Sequence, residues 1–394
     1  MSGSLRQKTK GVWEVRFDGG RDPLTGRRRQ ISRSVRGSKR DAQQVMNALV
    51  AEADAGGFIG TSTTFEQLCI QWLALAENDL SPTTLRRYKN LLSKRILPAL
   101  GSRRVNSIRT VDLDRLYLGL SNDVGLAPAT VRQAHAVIRR AFRQAVRWGW
   151  IASNPATNAT PPRLVRADLS PPNVDQVGKL LQQASTDDPD LGRFLHVAAS
   201  TGARRGEICA LRWRNLDAKL NTLTIERSII EIPGGIAEKD TKNHANRRMA
   251  LDPGTLSVLE EQRRDALKRA AQSGAKLTDE SFIFSREPDG LMPWIPGNVT
   301  RRFQSLRRAL GYDSMRLHDL RHFTATRLMA AGVPVRTVSG RLGHANPSTT
   351  LSVYSHFVAA SDQVAASVMG DLLSPSSKAT KQKAGTNSVS RSRK

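Results

Sequence analysis

Two polar stretches rich in glycine or proline divide the chain into three parts, and this division limits the folds that the sequence can adopt. Residues 54–63 read DAGGFIGTST, and residues 153–168 read SNPATNATPPRLVRAD, with three prolines. Proline disfavours helix and glycine is flexible, so we interpret both stretches as linkers. A chain of 394 residues is also too long for one ordinary hydrophobic core. The sequence therefore predicts several separately packed domains.

The first part has the pattern of a small sheet followed by one helix. Residues 12–17, VWEVRF, alternate apolar and charged side chains with the two-residue period of a half-buried strand. We expect a turn at residues 19–23, GGRDP, and a basic strand over residues 27–36, RRRQISRSVR. Ser38 can cap a helix whose apolar side chains recur three, four and seven residues after Ala42. The predicted fold is α+β, a three-stranded sheet plus a helix.

The middle part, up to about residue 152, has the periodicity of helices only. Four segments begin with a hydroxyl side chain that can cap the first turn or with a proline inside that turn. The four predicted helices are residues 65–78 after Thr64, residues 83–97 after Ser81 and Pro82, residues 111–120 after Thr110, and residues 129–150 after Pro128. This pattern predicts an all-α helical bundle.

An excess of positive charge indicates a polyanionic partner. The chain has 61 Lys+Arg against 35 Asp+Glu, a formal net charge of +26. Such a chain gains free energy on nucleic acid by releasing counterions condensed on the phosphate backbone. A ribosomal or chromatin-type protein without chemistry would carry a similar excess, so charge does not identify the function. The arginines that we expect to contact DNA are Arg27, Arg28, Arg29, Arg33 and Arg36 in the first part and Arg132, Arg139, Arg143 and Arg147 along the last helix of the middle part.

The cysteine content and the apolar runs bear on the compartment. Cys69 and Cys209 are the only cysteines, and both lie in apolar helical contexts far apart in the chain. We interpret them as free thiols in a reducing compartment rather than as disulfide or zinc ligands. No apolar segment follows the basic N-terminus, and no apolar run is long enough for a bilayer. We therefore expect a cytoplasmic protein with no membrane partner.

The third part, from about residue 170, is predicted to be mainly α with a small antiparallel sheet. We expect strands at residues 222–232, 246–251 and 282–285, where apolar and β-branched side chains concentrate. Residues 374–394 consist mainly of small polar and basic residues without apolar periodicity. We expect this last segment to be a disordered basic tail.

Basic side chains suited to binding a phosphate occur in two segments of the third part. In the segment TGARRGEICALRW, Arg204 stands at the start of a predicted helix and can present its planar guanidinium to an anion. In the segment LHDLRH, His318 and Arg321 are three residues apart and so project from one face of a helix. Further on, His344 ends an LGH triplet, and Tyr354 follows it by ten residues in the segment TLSVYSH.

A zinc site is an alternative interpretation of the histidines. His318 and His322 are four residues apart, as in zinc proteases of the H-E-x-x-H type. That motif requires a glutamate where this chain has Asp319, and no second cluster of ligands stands nearby in the sequence. A zinc hydrolase is therefore a distant alternative, and histidines that fill a helical core are another.

Taken together, these segments resemble the tyrosine recombinase, or phage integrase, family. Its pattern is an arginine in T-G-x-R, a lysine in a β-hairpin, H-x-x-R, a histidine or tryptophan in L-G-H, and a tyrosine soon after. The matching positions, in order, are Arg204, Lys242, His318, Arg321, His344 and Tyr354. Lys239 is a second candidate for the hairpin lysine, because it lies three residues before Lys242. Glu207 matches the acidic residue often found after the first arginine.

The resemblance implies a reaction without metal or other cofactor. Tyr354 would attack a DNA phosphate, leaving a 3′-phosphotyrosine and a free 5′-hydroxyl that can later reverse the step. The implied roles are a clamp on the phosphate by Arg204 and Arg321, a further hydrogen bond from His344, acceptance or relay of the tyrosine proton by His318, and protonation of the 5′ oxygen by Lys242.

The resemblance also implies a domain organisation and partners. The domains would be an arm-type DNA-binding domain at 1–57, a SAM-like core-binding domain at 64–152, a linker at 153–169, a catalytic domain at 170–373 and the tail at 374–394. The segment at residues 358–373 of the catalytic domain is amphipathic and mildly acidic, and we hypothesise that it docks on a neighbouring protomer; packing on its own domain is the alternative. The partners would be double-stranded DNA at attachment sites, three further copies in a homotetramer, a DNA-bending host factor and an excision or directionality factor.

The expected function is site-specific recombination that integrates or excises a mobile element, in the bacterial cytoplasm and associated with the nucleoid. A type IB topoisomerase uses a similar set of residues, but the three-part layout favours a recombinase. A DNA-binding regulator with a vestigial site is a further alternative. Against it, all six positions carry competent residue types.

Overall fold

The computed structural model describes residues 3–21, 28–54, 63–164, 171–240, 246–343, 366–370 and 373. The chain forms two compact units, Met1–Ala167 and Asp168–Lys394. Among the described helices, none combines the length and the apolar character that a membrane span requires.

The first unit begins with a three-stranded antiparallel sheet and one helix, as predicted. The sheet has the order β1-β2-β3. Its elements are β1 (Gly3–Thr9), β2 (Val12–Arg21) and β3 (Arg28–Arg36), followed by α1 (Lys39–Asp54). Val15 of β2 and Leu49 of α1 form its small buried core. At the start of α1, the Asp41 amide donates to Ser38 Oγ at 3.3 Å, and the Ser38 amide donates back to Asp41 Oδ2 at 2.8 Å.

The turn predicted at residues 19–23 is wrong for its first part, because β2 continues through Arg21. The ladder with β3 pairs Asp18 with Gln30 and Arg21 with Arg28, and its register shifts between these pairs. A bulge of this kind lets two glycines remain inside a strand, since glycine accommodates the irregular backbone. The rest of the predicted turn lies outside the described residues.

The all-α bundle of the middle part is confirmed. Its helices are α2 (Phe65–Ala76), α3 (Pro82–Leu91), α4 (Leu97–Leu100), α5 (Thr110–Asn122) and α6 (Pro128–Arg147). Thr64 caps α2 as predicted, since its hydroxyl accepts from the Gln67 amide at 3.3 Å. The predicted single helix 83–97 is interrupted by a π-helical segment, Leu92–Ile96. Pro98 follows in the first turn of α4, and a proline cannot donate to the preceding turn, which accounts for the break in the α pattern.

The core of the bundle lies along the predicted apolar face of α6. The apolar side chains of this face are Val131, Ala134, Ile138, Phe142 and Ala145, and all are buried. The rings of Phe65 and Phe142 pack with centroids 5.0 Å apart. The predicted linker differs over its first half, where Pro155–Thr157 forms a 3-10 turn. Its neighbour Asn154 donates to the carbonyl of Arg139 at 2.9 Å, and Ala156 is buried against the bundle.

The second unit is mainly helical, as predicted. Its helices are α7 (Val174–Asp187), α8 (Pro189–Thr201), α9 (Arg205–Cys209), α10 (Pro253–Gln272), α11 (Pro296–Ala309), α12 (Asp319–Ala330) and α13 (Val335–Leu342). One antiparallel sheet has the order β4-β5-β8, with β4 (Leu216–Asp217), β5 (Thr222–Ile225) and β8 (Arg247–Ala250). A separate hairpin pairs β6 (Arg227–Ile232) with β7 (Gly235–Asp240).

Two of the predicted strands need correction. Residues 222–232 form two strands in different sheets, because β5 pairs with β8 while β6 turns back at Gly234 to pair with β7. Residues 282–285 form isolated bridges rather than a strand. Their side chains enter the core, where the ring of Phe284 packs 5.0 Å from that of Phe194. A short, continuous apolar run therefore identified a core segment, but not its backbone conformation.

A glycine at the end of α8 lets three helices meet. Gly202 has a φ of 65°, and a Cβ on it would lie 2.4 Å from Leu342 Cδ2. The Thr324 hydroxyl donates to the carbonyl of Ala199 at 2.7 Å, which joins α12 to α8. The glycine of the T-G-x-R segment is therefore required for close packing as well as for its backbone conformation.

Candidate active site

Arg204 connects two segments that are far apart in the sequence. It precedes α9, and its Nη1 donates to Glu207 Oε1 at 2.8 Å. Its backbone amide donates to Glu207 Oε2, also at 2.8 Å. Its Nη2 donates to the carbonyl of Gly343 at 3.1 Å, just before the predicted site residue His344. The T-G-x-R segment and the L-G-H segment are thus in contact through this guanidinium.

Arg321 lies in the first turn of α12 and has a buried guanidinium. The residue is 3% exposed, and its Nη1 donates to the carbonyl of Gly202 at 2.7 Å. Its Nη2 is buried and has no hydrogen-bond partner among the residues that the structure describes. Burial, followed by the positive charge of Arg204, lowers the pKa of Arg321 to about 9. The negative charge of Glu207 acts in the opposite direction, and the side chain remains charged at neutral pH. No described carboxylate contacts the guanidinium directly, which is costly for a buried cation.

His318 immediately precedes α12 and keeps part of its surface exposed. Its ring lies 5.0 Å from that of His322, nearly perpendicular to it. The surrounding protein atoms, and then the charges of His322, Arg321 and Arg204, lower the pKa of His318 below its usual value. A shift in this direction leaves a neutral imidazole at pH 7, which can accept a proton.

Glu207 is a buried carboxylate held between two arginines. It is 1% exposed and accepts from Arg204 and, at 2.5 Å and 3.2 Å, from Arg247 Nη2 and Nη1. Burial by itself would raise the pKa of Glu207, but the hydrogen bonds and charge of Arg247, and then those of Arg204, lower it below its ordinary value. Glu207 is therefore a carboxylate at neutral pH, and its charge offsets part of the positive charge of the two arginines.

Sequence reasoning missed Arg247, although a signal was present. The strand that contains it alternates between a more buried face, with Arg247 and Met249, and an exposed face, with Arg248 and Ala250. An arginine on the same face of a strand as a buried methionine requires a partner inside the protein, because an unpaired buried charge is costly. The two-residue period could have singled it out.

Three predicted site residues, Lys242, His344 and Tyr354, lie outside the described residues. The described part of the cluster consists of Arg204, His318 and Arg321, which converge around the end of α8. Lys239, the second candidate for the hairpin lysine, lies in β7 opposite Ser228.

The predicted DNA-contacting arginines of α6 are exposed. No described carboxylate forms an ion pair with Arg132, Arg139, Arg143 or Arg147. Arg132 donates to the carbonyl of Pro162 at 3.3 Å. In the first part of the chain, Arg33 and Arg36 are exposed on β3. The prediction for Arg27 and for the side chains of Arg28 and Arg29 falls outside the described residues.

The residues considered for zinc do not form a ligand cluster in the part of the chain that the structure describes. No group of three or more His, Cys, Asp or Glu side chains there could hold a metal ion. Asp319, which lies between the two histidines in sequence, accepts from Arg316 Nη2 at 2.8 Å. Cys69 and Cys209 are buried free thiols.

Comparison with known proteins matches part of each unit to a family. The phage integrase family matches residues 173–360, and the phage integrase N-terminal SAM-like domain matches residues 64–121. The ICEBs1 integrase of Bacillus subtilis is 24% identical over 373 residues, covering 94% of this chain and all of that protein. A XerC-like tyrosine recombinase of Caldanaerobacter subterraneus is 24% identical and covers 68% of this chain and 72% of its own length.

Solved structures share the fold. The Tn1549 transposon integrase, in complex with a circular intermediate DNA, superposes with a TM-score of 0.64 at 19% identity, covering 74% of this chain and 95% of that one. The lambda integrase tetramer bound to a Holliday junction superposes with a TM-score of 0.56 at 20% identity, covering 89% of this chain and 94% of that one.

The arginine cluster, the layout of the two units and these matches define the class of protein. The chain belongs to the phage integrase family of tyrosine recombinases. It is a site-specific DNA recombinase related to the integrases of mobile elements, as the sequence pattern predicted.

Proposed function

We propose that this recombinase cuts one DNA strand by attack of the Tyr354 hydroxyl on a phosphate held by Arg204 and Arg321. The single observation that carries this proposal is the buried Arg321 Nη2, which has no hydrogen-bond partner among the described residues and lies within the field of a second guanidinium. A phosphate oxygen would supply an acceptor and a negative charge in direct contact with this nitrogen. Two guanidiniums suit such a ligand, because each offers paired donors and keeps its charge.

In the proposed step, a bond forms between the Tyr354 oxygen and phosphorus while the bond from phosphorus to the 5′ oxygen breaks. The products are a 3′-phosphotyrosine and a 5′-hydroxyl. Negative charge that builds on the non-bridging oxygens is stabilised by Arg204, Arg321 and a hydrogen bond from His344. Because the phosphotyrosine keeps the energy of the original bond, a 5′-hydroxyl from another duplex can reverse the step.

Two further residues would move the protons. The tyrosine proton goes to His318, and the neutral state of that imidazole supports this role. Lys242 then donates a proton to the departing 5′ oxygen, with Lys239 as the other candidate. These steps need only side chains of the protein, consistent with the expectation that no metal or cofactor takes part.

We assign the DNA contacts according to the predicted domains. Residues 1–57 would bind arm-type sites, and the bundle at 64–152 would bind core sites through the α6 arginines. The linker at 153–169 would join the two halves. Residues 170–373 would carry the reaction, followed by the tail at 374–394. The exposed arginines of α6, which form no ion pair with a described carboxylate, support the second assignment. The setting would be the nucleoid in the bacterial cytoplasm, with attachment-site DNA, a bending host factor and a directionality factor as partners.

The proposal includes a homotetramer on DNA, held by the segment after the tyrosine. Residues 366–370 are helical, and Val368 and Met369 are 51% and 53% exposed. Apolar side chains exposed on a helical turn favour docking on another protein surface. If deletion of residues 358–394 leaves the tetrameric synaptic complex intact, this docking assignment is wrong.

Nicked duplex DNA carrying the attachment site tests the reaction class. Cleavage beside a nick releases a short strand, so the covalent adduct cannot be religated and accumulates. We expect a protease-sensitive adduct with the wild-type protein and none with Tyr354→Phe. An adduct that persists in Tyr354→Phe contradicts the proposal. An equal rate on DNA without an attachment site would indicate a topoisomerase instead.

A further inference from the structure

A second buried arginine, Arg247, contacts the proposed site through Glu207. Its side chain is 10% exposed. Both terminal nitrogens donate to the Glu207 carboxylate, at 2.5 Å and 3.2 Å, and its Nε donates to the carbonyl of Arg341 at 3.1 Å. One guanidinium thus joins strand β8 to the first turn of α9 and to the end of α13.

The contact at the end of α13 depends on a glycine. Gly343 has a φ of 68°, and a Cβ on it would lie 2.9 Å from Arg247 Nη1. The carbonyl of this glycine also accepts from Arg204. Arg247 and Arg204 therefore hold the same two segments, the one that carries Glu207 and the one that leads to His344.

The charges give Arg247 a second effect on Arg204. Glu207 carries one negative charge and contacts two guanidiniums, so the three side chains together keep one net positive charge. Without Arg247, the carboxylate would be opposed by Arg204 alone, and the pair would be neutral. Arg204 would then stabilise less of the negative charge that builds on the phosphate oxygens in the transition state, because nearby charges of opposite sign largely cancel at the distance of the ligand.

We propose that Arg247 is a positioning residue for strand cleavage, which orients Arg204 through Glu207 and fixes the backbone that leads to His344. Its effect is on the chemical step rather than on binding of DNA. This inference rests on the proposed function, since it assigns Arg247 a part in phosphotyrosine formation.

The next residue of the same strand supplies a matched control. Arg248 points to the other face of β8, its side chain is 54% exposed, and it pairs with Asp217 at 3.5 Å. Arg247→Met and Arg248→Met remove the same charge and keep a similar side-chain length. Arg247→Lys restores the charge without the paired donors of the guanidinium.

The rate of adduct formation at saturating nicked attachment-site DNA tests the inference. We expect Arg247→Met to slow it by about 100-fold, as for loss of one preorganised donor. Arg247→Lys should be intermediate, and Arg248→Met should stay within about twofold of wild type because an exposed pair contributes little. The dissociation constant for DNA should change by less than about threefold in all three, because Arg247 itself donates to Glu207 and Arg341 within the protein and the exposed arginines expected to bind the other phosphates are unchanged.

Two readouts separate positioning from folding. If a variant folds poorly, the final amount of adduct falls but the rate constant of its formation is unchanged. If only positioning is impaired, the rate constant falls but the final amount of adduct is unchanged. If Arg247→Met does not fold, the same comparison is made with Arg247→Lys. If the Arg247 and Arg248 variants form the adduct with equal rate constants, the inference about Arg247 is wrong. As long as the wild-type adduct still requires Tyr354, that result leaves the proposed function intact. Loss of the Tyr354 requirement would overturn the proposed function instead.

Discussion

The arginines of the helical bundle and the arginines of the catalytic unit are the same residue type in opposite settings. Along α6 the guanidiniums are exposed and form no ion pair with a described carboxylate. Around Glu207 and Gly202 they are largely buried, and each donates to a specified oxygen of the protein. The first arrangement leaves the charges free to meet a polyanion, and the second fixes their positions before any ligand arrives.

The two arrangements indicate that this protein uses positive charge for two purposes. Exposed cations bind DNA by releasing counterions, so their contribution depends on salt and tolerates movement of the side chain. Preorganised cations stabilise charge that develops in a transition state, and they act only if their geometry is kept. Arg321 is preorganised in this way, and burying it is costly because its Nη2 has no hydrogen-bond partner among the described residues.

The largest effect is expected when a buried arginine is removed. We expect Arg321→Met to slow adduct formation at saturating DNA by about 10²- to 10³-fold, because it removes donors aimed at the phosphate. DNA affinity should change by less than about threefold, since the α6 arginines remain. Arg327→Met, an exposed position of the same helix, is the control. A loss of affinity as large as the loss of rate would contradict the assignment of Arg321 to the transition state.

Removing the exposed set should give the reverse pattern. In the quadruple variant Arg132→Gln, Arg139→Gln, Arg143→Gln and Arg147→Gln, we expect DNA affinity at low salt to fall by about 10- to 100-fold. The slope of log affinity against log salt should become shallower by up to about 3 to 4, since each phosphate contact contributes about 0.9.

The chemical step of the quadruple variant, measured at saturating DNA, should stay close to wild type. Arg140→Gln is the control, because Arg140 lies on the same helix but packs over the Tyr88 ring. An unchanged salt slope in the quadruple variant would show that this face does not meet the phosphates.

The smallest effect is expected for an arginine of the bundle that has a partner. Arg103 pairs with Asp112 at 2.9 Å, and this hydrogen bond is the main cause of the lowered pKa of Asp112. A carboxylate whose pKa is lowered in the folded state stabilises the fold at pH values above its unfolded-state pKa of about 3.9. This stabilisation is lost as the pH falls through the lower pKa of the folded state. Arg103→Met should therefore cost about 0.5 to 1 kcal/mol at pH 7 and less at pH 2.

Urea unfolding of the wild-type protein and Arg103→Met at the two pH values measures this difference. DNA affinity should be the same for both proteins, because the charge of Arg103 is already paired. If Arg103→Met lowers DNA affinity as much as one α6 substitution does, then an arginine paired with a carboxylate still contributes to DNA binding, and pairing does not distinguish the two groups of arginines.

Local signals in the sequence predicted much of the fold. Thr64, Ser38 and Pro128 start helices as expected, since caps and first-turn prolines act within a few residues. Two features were not predicted. The break in the helix near Pro98 depends on how the chain accommodates one proline, and the packing of Ala156 depends on a surface that only the folded bundle provides.

The candidate site shows the same limit. The positions that carry the family pattern could be identified because the residue types and their order are specific. The partners that hold them could not, since Arg247 reaches Glu207 across 40 residues and Arg204 reaches Gly343 across 139. Such contacts depend on how β8, α9 and α13 pack, and no local pattern encodes that packing.

A crystal structure of the Tyr354→Phe variant on nicked attachment-site DNA would show whether Arg204 and Arg321 bind the same scissile phosphate. Without the attacking hydroxyl, the scissile phosphate should remain intact in the site. We predict that Arg321 Nη2 and the Arg204 guanidinium both lie within hydrogen-bond distance of non-bridging oxygens of that one phosphate, with the substituted phenyl ring beside its phosphorus. A complex in which the phosphate binds elsewhere and Arg321 Nη2 keeps no anionic partner would contradict the account.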